Sequence, residues 1–118
     1  MPGILASVVA GIEEIKGEHI SILDLRTIEN AVCDFFVVCS AQSSTQVKAL
    51  ADSVEKVVRE VNDERPWHVE GLMHADWVLL DYVHTVVHVF RTETRAFYDL
   101  ESLWGDALSL TPHPTTHE

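Results

Sequence analysis

The chain has 118 residues, and its 19 Asp and Glu against 8 Lys and Arg give a formal net charge of -11. This length suits one domain, and so acidic a chain lacks the basic clusters from which nucleic-acid binding draws most of its affinity. No apolar stretch reaches about 18 residues, so no membrane span is expected. The acidity favours a basic protein partner, or it serves only to keep the domain soluble.

The first part of the chain predicts one helix and two strands. Apolar residues at helical spacing predict a helix over residues 4–16, which Gly17 ends. No basic residue precedes this apolar segment, which argues against a signal peptide. A β-branched stretch predicts a strand over 19–26, and the continuous apolar run at 34–40 is typical of a strand buried on both faces.

The second helix is the best marked element. Ser43 can cap it, and Gln46 follows three residues later, which makes an S-x-x-Q capping box. Apolar residues then recur every three or four positions, so we predict a helix that ends at Asn62.

Three short strands and a closing helix complete the pattern. The strands are predicted at 67–71, 77–80 and 86–91, and the last two are joined by a tight connection. The stretch 97–108 predicts a helix with a possible inner stripe of Leu100, Leu103, Trp104 and Ala107. This order indicates an α/β (α+β) domain over residues 1–110, with a single mixed sheet of about five strands and helices packed on it. Residues 111–118 are expected to be a disordered tail.

Three carboxylates at strand ends suggest one enzymatic hypothesis. Asp24, Asp34 and Asp81 could gather around Mg²⁺ in a nucleotide-binding or nucleotidyl-transferring enzyme. The turn before the second helix, "CSAQSS", has neither the glycine nor the lysine of a phosphate-binding loop. This hypothesis is therefore the alternative to a binding protein.

Metal sites and nucleophiles have weaker support. A zinc site needs three or four converging ligands, whereas His84 and His88 supply two, and Cys33 or Cys39 would have to add another. The serines lack a G-x-S-x-G setting, and neither cysteine has a signature histidine nearby. The two cysteines are interpreted as reduced cytosolic thiols. We therefore expect no enzyme activity, no metal and no cofactor.

The segment 77–90 supplies the candidate binding surface. Every second side chain of its two strands shares a face of the sheet, and neither face is cleanly polar. Three helices are too few to cover both faces, and aromatic residues in a remaining apolar patch are typical of protein-binding surfaces. We predict binding through Trp77, Tyr82, His84, Val86 and His88, and we expect the first three to lie at the surface.

Five strings occur in order between Gly3 and Ala107: "ILDLR", "DFFVVCSAQSSTQVKALADSV", "VEG", "DWVLLDYVHTVVHVF" and "RAFYDLESLWGDA". Together they resemble the ribosomal silencing factor family, also called Iojap-like proteins. Val83 and His84 stand where the family usually has Gly-Asp, and Ala41 replaces another usual glycine. Valine resists the positive φ that glycine permits, so this turn is expected to differ. Nine residues match family signatures: Asp24, Asp34, Trp77, Asp81, His88, Tyr98, Leu100, Glu101 and Trp104.

The resemblance implies a cytoplasmic protein, a fold like that of nucleotidyltransferases in outline, and no catalysed reaction. It implies binding to the large ribosomal subunit through the large-subunit ribosomal protein numbered fourteen, with little direct RNA contact. The bound protein would block association of the two subunits and repress translation when nutrients are limiting. It also implies a homodimer away from the ribosome.

Overall fold

The order of helices and strands largely follows the predicted one. The computed structural model describes residues 3–110, so the tail predicted at 111–118 lies outside the described residues. The elements in chain order are α1 (Leu5–Glu14), β1 (Glu18–Asp24), β2 (Phe35–Ala41), α2 (Ser44–Asn62), β3 (His68–Glu70), β4 (Trp77–Asp81), β5 (Thr85–Arg91), α3 (Thr92–Tyr98), α4 (Leu100–Leu103) and β6 (Leu108–Leu110).

The start of α2 forms only half of the predicted capping box. Ser43 is the N-cap in extended conformation, and its side chain accepts a hydrogen bond of 3.1 Å from the backbone N–H of Gln46. The side chain of Gln46 instead donates from Nε2 to the carbonyl oxygen of Ile15, at 3.3 Å. The second half of the motif therefore joins α2 to the end of α1.

The helices α1 and α2 touch at Gly11. A Cβ atom at this position would lie 2.8 Å from the Cα of Val54, which is closer than a real contact allows. The hydroxyl of Ser53 donates a 2.7 Å hydrogen bond to the carbonyl oxygen of Gly11. Only glycine permits the two helices to approach this closely. The hydrogen bond to Gly11 satisfies the buried hydroxyl of Ser53.

The strands form one sheet in the order β3-β4-β5-β2-β1-β6. The pair β2–β5 is parallel, and the other neighbouring pairs are antiparallel, which confirms the predicted mixed sheet. All seven residues of β2 are buried, as a continuous apolar run at the centre of a sheet requires. The sixth strand, β6, was not predicted.

The two faces of the sheet carry cores of different size. The helices α1 and α2 cover one face, where their apolar sides meet the inner residues of β1, β2, β4 and β5. The other face carries a smaller core, closed in part by Leu100 of α4. Its buried members are Leu23, Leu25, Phe36, Val38, Val86, Phe90 and Leu100. The uneven coverage expected from the small number of helices is therefore present.

The prediction of a single closing helix at 97–108 is wrong, because two short helices and a strand occupy this part of the chain. Asp99 adopts a left-handed conformation with φ 47° and separates α3 from α4, because a short polar side chain tolerates that region. Leu100 is buried and Trp104 packs on the smaller core, whereas Leu103 is 75% exposed. The chain then leaves the helix and pairs with β1 as the edge strand β6.

The turn between β4 and β5 also differs from expectation. Val83 adopts φ 76° despite its branched side chain. The N–H of His84 donates to the carbonyl oxygen of Tyr82 at 3.0 Å, so the turn closes across one residue. Asp81 Oδ1 accepts from the N–H of Val83 at 2.7 Å and holds it in place. Valine does not prevent a positive φ here; it adopts one under strain.

Candidate protein-binding surface

Trp77, the first residue of β4, lies on the less covered face of the sheet. Its ring stacks on Phe90 with centroids 4.7 Å apart and contacts Tyr98 at 4.9 Å. Its indole Nε1–H donates a 3.1 Å hydrogen bond to Nδ1 of His88. The position of the tryptophan is thus set by contacts from β5 and α3, while part of its surface stays accessible to solvent.

Two shallow pockets meet at Trp77. The larger, of about 450 Å³, lies between the end of α3 and the start of β4, and the smaller, of about 230 Å³, lies toward β3. We call them together the Trp77 groove, which is lined by Glu70, Gly71, Asp76, Trp77, Leu79, Glu93, Thr94, Phe97 and Tyr98. Phe97 is 80% exposed and Tyr98 is 50% exposed, so apolar surface is open to a partner.

The rim of the Trp77 groove is acidic. Asp76 and Glu93 line one side and Glu70 lines the other. Arg91 lies between the first two, with Nε 3.3 Å from Asp76 Oδ1 and Nη2 3.7 Å from Glu93 Oε1. One guanidinium is therefore shared by two carboxylates. The rim keeps a negative charge, which complements a basic surface.

His88 supports Trp77 from beneath. It is 4% exposed, and burial lowers the pKa of its imidazole to about 4. The ring is therefore neutral near pH 7, and Nδ1 accepts the indole hydrogen bond. Phe36 packs edge-on against the same imidazole with ring centroids 4.6 Å apart.

Arg95 fixes α3 against the sheet. Its Nη1 donates to the carbonyl oxygen of His19 at 2.7 Å and to Oγ of Ser40 at 3.1 Å. These contacts join α3 to the start of β1 and the end of β2. They hold Tyr98, three residues further on, against Trp77.

The five predicted binding residues do not form one surface. Trp77 and His88 are in contact, and Val86 lies on the same face but is only 8% exposed. His84 is exposed at the turn, with Nδ1 3.7 Å from Asp34 Oδ2. Tyr82 was expected at the surface, and this is wrong: it is 6% exposed in the core under α1 and α2. Strand alternation puts it on the face opposite Trp77, where helices cover it.

Sequence reasoning missed the part of the groove that α3 supplies. Glu93, Thr94, Phe97 and Tyr98 line it, yet the stretch was interpreted as one helix with its inner stripe further along. A signal was present in the sequence. Two adjacent aromatics followed by Asp99 cannot all face the core of one regular helix, and Asp tolerates the left-handed conformation that ends α3.

The three strand-end acids are each engaged separately. Asp24 accepts hydrogen bonds from Arg26 Nε at 3.0 Å and Nη2 at 2.7 Å, and these bonds hold the pKa of its carboxyl below the usual value. Asp34 lies beside His84, and Asp81 caps the turn. Among residues 3–110, no group of three His, Cys, Asp or Glu side chains is arranged to hold a metal ion. The geometry therefore lends no support to the magnesium-dependent alternative.

The cysteines lack the environment of a nucleophile. Both are free, and burial raises the pKa of the Cys33 thiol to about 11 and that of Cys39 to about 12. Thiols with such pKa values are protonated near pH 7 and react poorly. Within the described part of the chain, no helix combines the length and apolar character that crossing a membrane requires.

These features define a small α/β protein with one helix-covered sheet face and one half-covered face that carries an acid-rimmed aromatic groove. The sequence matches, over residues 1–118, the profile of a family described as "Ribosomal silencing factor during starvation". The chain belongs to the ribosomal silencing factor family.

Individual relatives agree over most of the chain. A ribosomal silencing factor of Halalkalibacterium halodurans is 39% identical over 104 residues, which cover 88% of this chain and 87% of that protein. One from Bacillus subtilis is 38% identical over 104 residues, covering 88% and 86%. A crystal structure of a protein from Chromobacterium violaceum has a TM-score of 0.81 and 35% identity, and covers 86% of this chain and 83% of that one.

Proposed function

We propose that this protein binds the large ribosomal subunit in the cytoplasm and keeps the small subunit from joining, so that translation is repressed when nutrients are limiting. Its contact on the subunit is the large-subunit ribosomal protein numbered fourteen. The bound protein blocks association by occupying space, so this mechanism requires no catalysed reaction. The Trp77 groove is the observation that carries this proposal.

The chemistry of the groove suits a basic protein more than RNA. Trp77, Phe97 and Tyr98 offer apolar area, and aromatic anchors dominate the energetics of protein interfaces. The carboxylates of Glu70, Asp76 and Glu93 attract Lys and Arg side chains. The same carboxylates, with a net charge of -11 on the whole chain, repel RNA phosphates. This chemistry supports contact with a ribosomal protein and little direct contact with RNA.

The protein also self-associates as a homodimer when it is not on the ribosome. Exposed apolar residues such as Phe97 favour burial against a second copy at high concentration. Sedimentation velocity over a wide concentration range tests this part independently, since a monomer at all concentrations contradicts it.

Co-sedimentation with purified ribosomal subunits tests the binding. Wild-type protein is expected to sediment with large subunits and not with small ones. Trp77→Ala and Tyr98→Ala remove two anchors of the groove, and each is expected to weaken binding about tenfold or more. Trp67→Ala is the matched control, because Trp67 is 81% exposed and does not line the groove. It is expected to bind like wild type.

Two further measurements separate the parts of the mechanism. Mixing large and small subunits with the protein should lower the yield of joined ribosomes on sucrose gradients, and Trp77→Ala should restore it. Isolated ribosomal protein fourteen should bind wild-type protein more tightly at low salt than at high salt. Large subunits that ignore the wild-type protein, or normal joining at saturating protein, would contradict the proposal.

A further inference from the structure

The imidazole of His88 occupies an unusual position for a histidine. It lies in the middle of β5, at 4% exposure, between the aromatic rings of Phe36 and Phe90. Leu79 is its cross-strand partner, so Trp77 lies diagonally from it on β4. Within residues 3–110, its Nε2 atom is buried and has no hydrogen-bond partner. An unsatisfied buried nitrogen costs stability, so packing alone does not explain a histidine at this position.

The other nitrogen contacts the groove. An indole N–H can only donate, so Nδ1 of His88 must be the unprotonated acceptor of the 3.1 Å bond from Trp77. The proton of the neutral ring is therefore on Nε2. Phe36 fixes the ring plane at 77° to its own, and Phe90 stacks on Trp77 from the same strand. Both the tautomer and the orientation of the imidazole are thus determined by its neighbours.

We propose that His88 is a positioning residue that never touches the partner and instead fixes the indole of Trp77 in the orientation that the partner binds. This inference rests on the proposed function of the Trp77 groove. Trp77 stacks on Phe90 and packs against the tilted ring of Tyr98, and neither contact distinguishes the two χ2 rotamers that differ by 180° and place Nε1 on opposite sides. The directional hydrogen bond to His88 does, because its strength falls steeply away from linearity. A side chain fixed in advance loses less freedom on binding.

Two substitutions separate this role from packing. His88→Leu has similar bulk, lacks an acceptor and also removes the unsatisfied Nε2. It is expected to fold at least as stably as wild type, yet to bind large subunits about fivefold more weakly. His88→Asn keeps an acceptor, because its Oδ1 lies where Nδ1 of histidine lies, and it is expected to restore most of the binding.

The indole itself gives a readout that does not require the ribosome. The three tryptophans give separate indole N–H signals in ¹⁵N-labelled protein, and Trp77→Phe identifies the signal of Trp77. Its hydrogen exchange should be slow in wild type and in His88→Asn, and about fivefold faster in His88→Leu. Trp67 is the internal control, because its 81% exposure predicts fast exchange in every variant.

The outcomes separate this inference from the proposed function. Wild-type protein that fails to bind large subunits overturns the proposed function and this inference with it. Wild-type binding that His88→Leu matches overturns the positioning role alone. Equal losses of binding in His88→Leu and His88→Asn would indicate packing and would also overturn it. In a Trp77→Phe background, where the donor is gone, His88→Leu should cause no further loss of binding.

Discussion

The guanidinium of Arg95 forms two parallel hydrogen bonds with the carboxylate of Glu101, Nε to Oε1 at 3.2 Å and Nη2 to Oε2 at 2.8 Å. The side chains are 14% and 32% exposed, so this ion pair is partly shielded from water. It closes the turn at Asp99 and fixes α4 relative to α3. Tyr98 of the Trp77 groove and Leu100 of the smaller core lie between the two paired residues.

Arg95→Lys is expected to destabilise the protein although the charge is kept. A lysine ammonium cannot reproduce the paired geometry and also reach His19 O and Ser40 Oγ. We expect a loss of about 2 kcal/mol in the free energy of unfolding, measured by urea denaturation. Arg65→Lys, at an exposed position, is the control and should change stability little. Equal stability of both variants would contradict the role given to Arg95.

Val83→Gly is expected to stabilise the protein. A β-branched residue at φ 76° carries backbone strain of about 1–3 kcal/mol, and glycine adopts this conformation freely. The larger conformational entropy of glycine in the unfolded chain offsets about 0.5–1 kcal/mol of this relief, so we expect the free energy of unfolding to rise by about 1 kcal/mol. Thermal unfolding measures it.

Val32→Gly is the matched control for this substitution. Val32 is 76% exposed and is not among the residues of positive φ, so glycine should destabilise the protein there. A destabilised Val83→Gly variant would show that the turn is not strained in solution.

Gly11→Ala is expected to destabilise the protein, although alanine is the better helix former by about 1 kcal/mol. The added methyl group would meet the backbone of Val54 at 2.8 Å, and backbone cannot move aside as a flexible side chain does. We expect a loss of about 2–3 kcal/mol, measured by chemical denaturation. Ala10→Gly at the exposed neighbouring position should lose only the propensity difference of about 1 kcal/mol. A stabilised Gly11→Ala variant would show that the helices separate easily.

His88 should make the stability of the protein depend on pH between about 6.5 and 4. Its pKa is 6.5 in the unfolded chain and about 4 in the folded protein, so the unfolded state binds the proton first as pH falls. The free energy of unfolding should therefore fall by about 3 kcal/mol across this range. Above pH 6.5 both states are neutral and the dependence disappears. Asp24 affects stability only at lower pH, because the hydrogen bond from Arg26 holds its pKa below 3.8 and its stabilising contribution is lost as the carboxylate is protonated.

The comparison with His88→Leu isolates this dependence. Urea denaturation at several pH values should give a difference between wild type and His88→Leu that grows as pH falls from 6.5 to 4. The other histidines are present in both proteins and cancel in the difference. Parallel curves for the two proteins would mean that His88 is hydrated in solution.

Patterns with a single strong cause were predictable from the sequence. The capped start of α2 depends on Ser43 and its nearby amides, and the buried β2 depends on an uninterrupted apolar run. Alternation along the chain puts Trp77 and Tyr82 on opposite faces of the sheet, as the structure has them. The prediction that Tyr82 is exposed was wrong, because α1 and α2 cover that face of the sheet. No local sequence pattern specifies where these helices pack.

The elements α3, α4 and β6 were harder to predict from the sequence for a different reason. The placement of α3 on the sheet and the pairing of β6 with β1 depend on tertiary contacts, and those of Arg95 with His19 O and Ser40 Oγ are among them. The Trp77 groove needs the same Arg95 contacts, because α3 supplies four of its nine lining residues. Sequence patterns therefore identified Trp77 as a residue of the groove but did not identify the α3 residues that line its other side.

The parallel pairing of β2 with β5 has a consequence for synthesis of the protein. Phe35 and Thr85 are neighbours at the centre of the sheet, although all of α2, β3 and β4 separates them along the chain. Contacts so distant in sequence form late, because a long loop must close first. A nascent chain can assemble α1, α2 and the antiparallel β1–β2 pair as it emerges, but the other edge of β2 has no partner until β5 has left the exit tunnel. Completion of the central sheet is therefore a late step of folding, which waits until β5 has been synthesised.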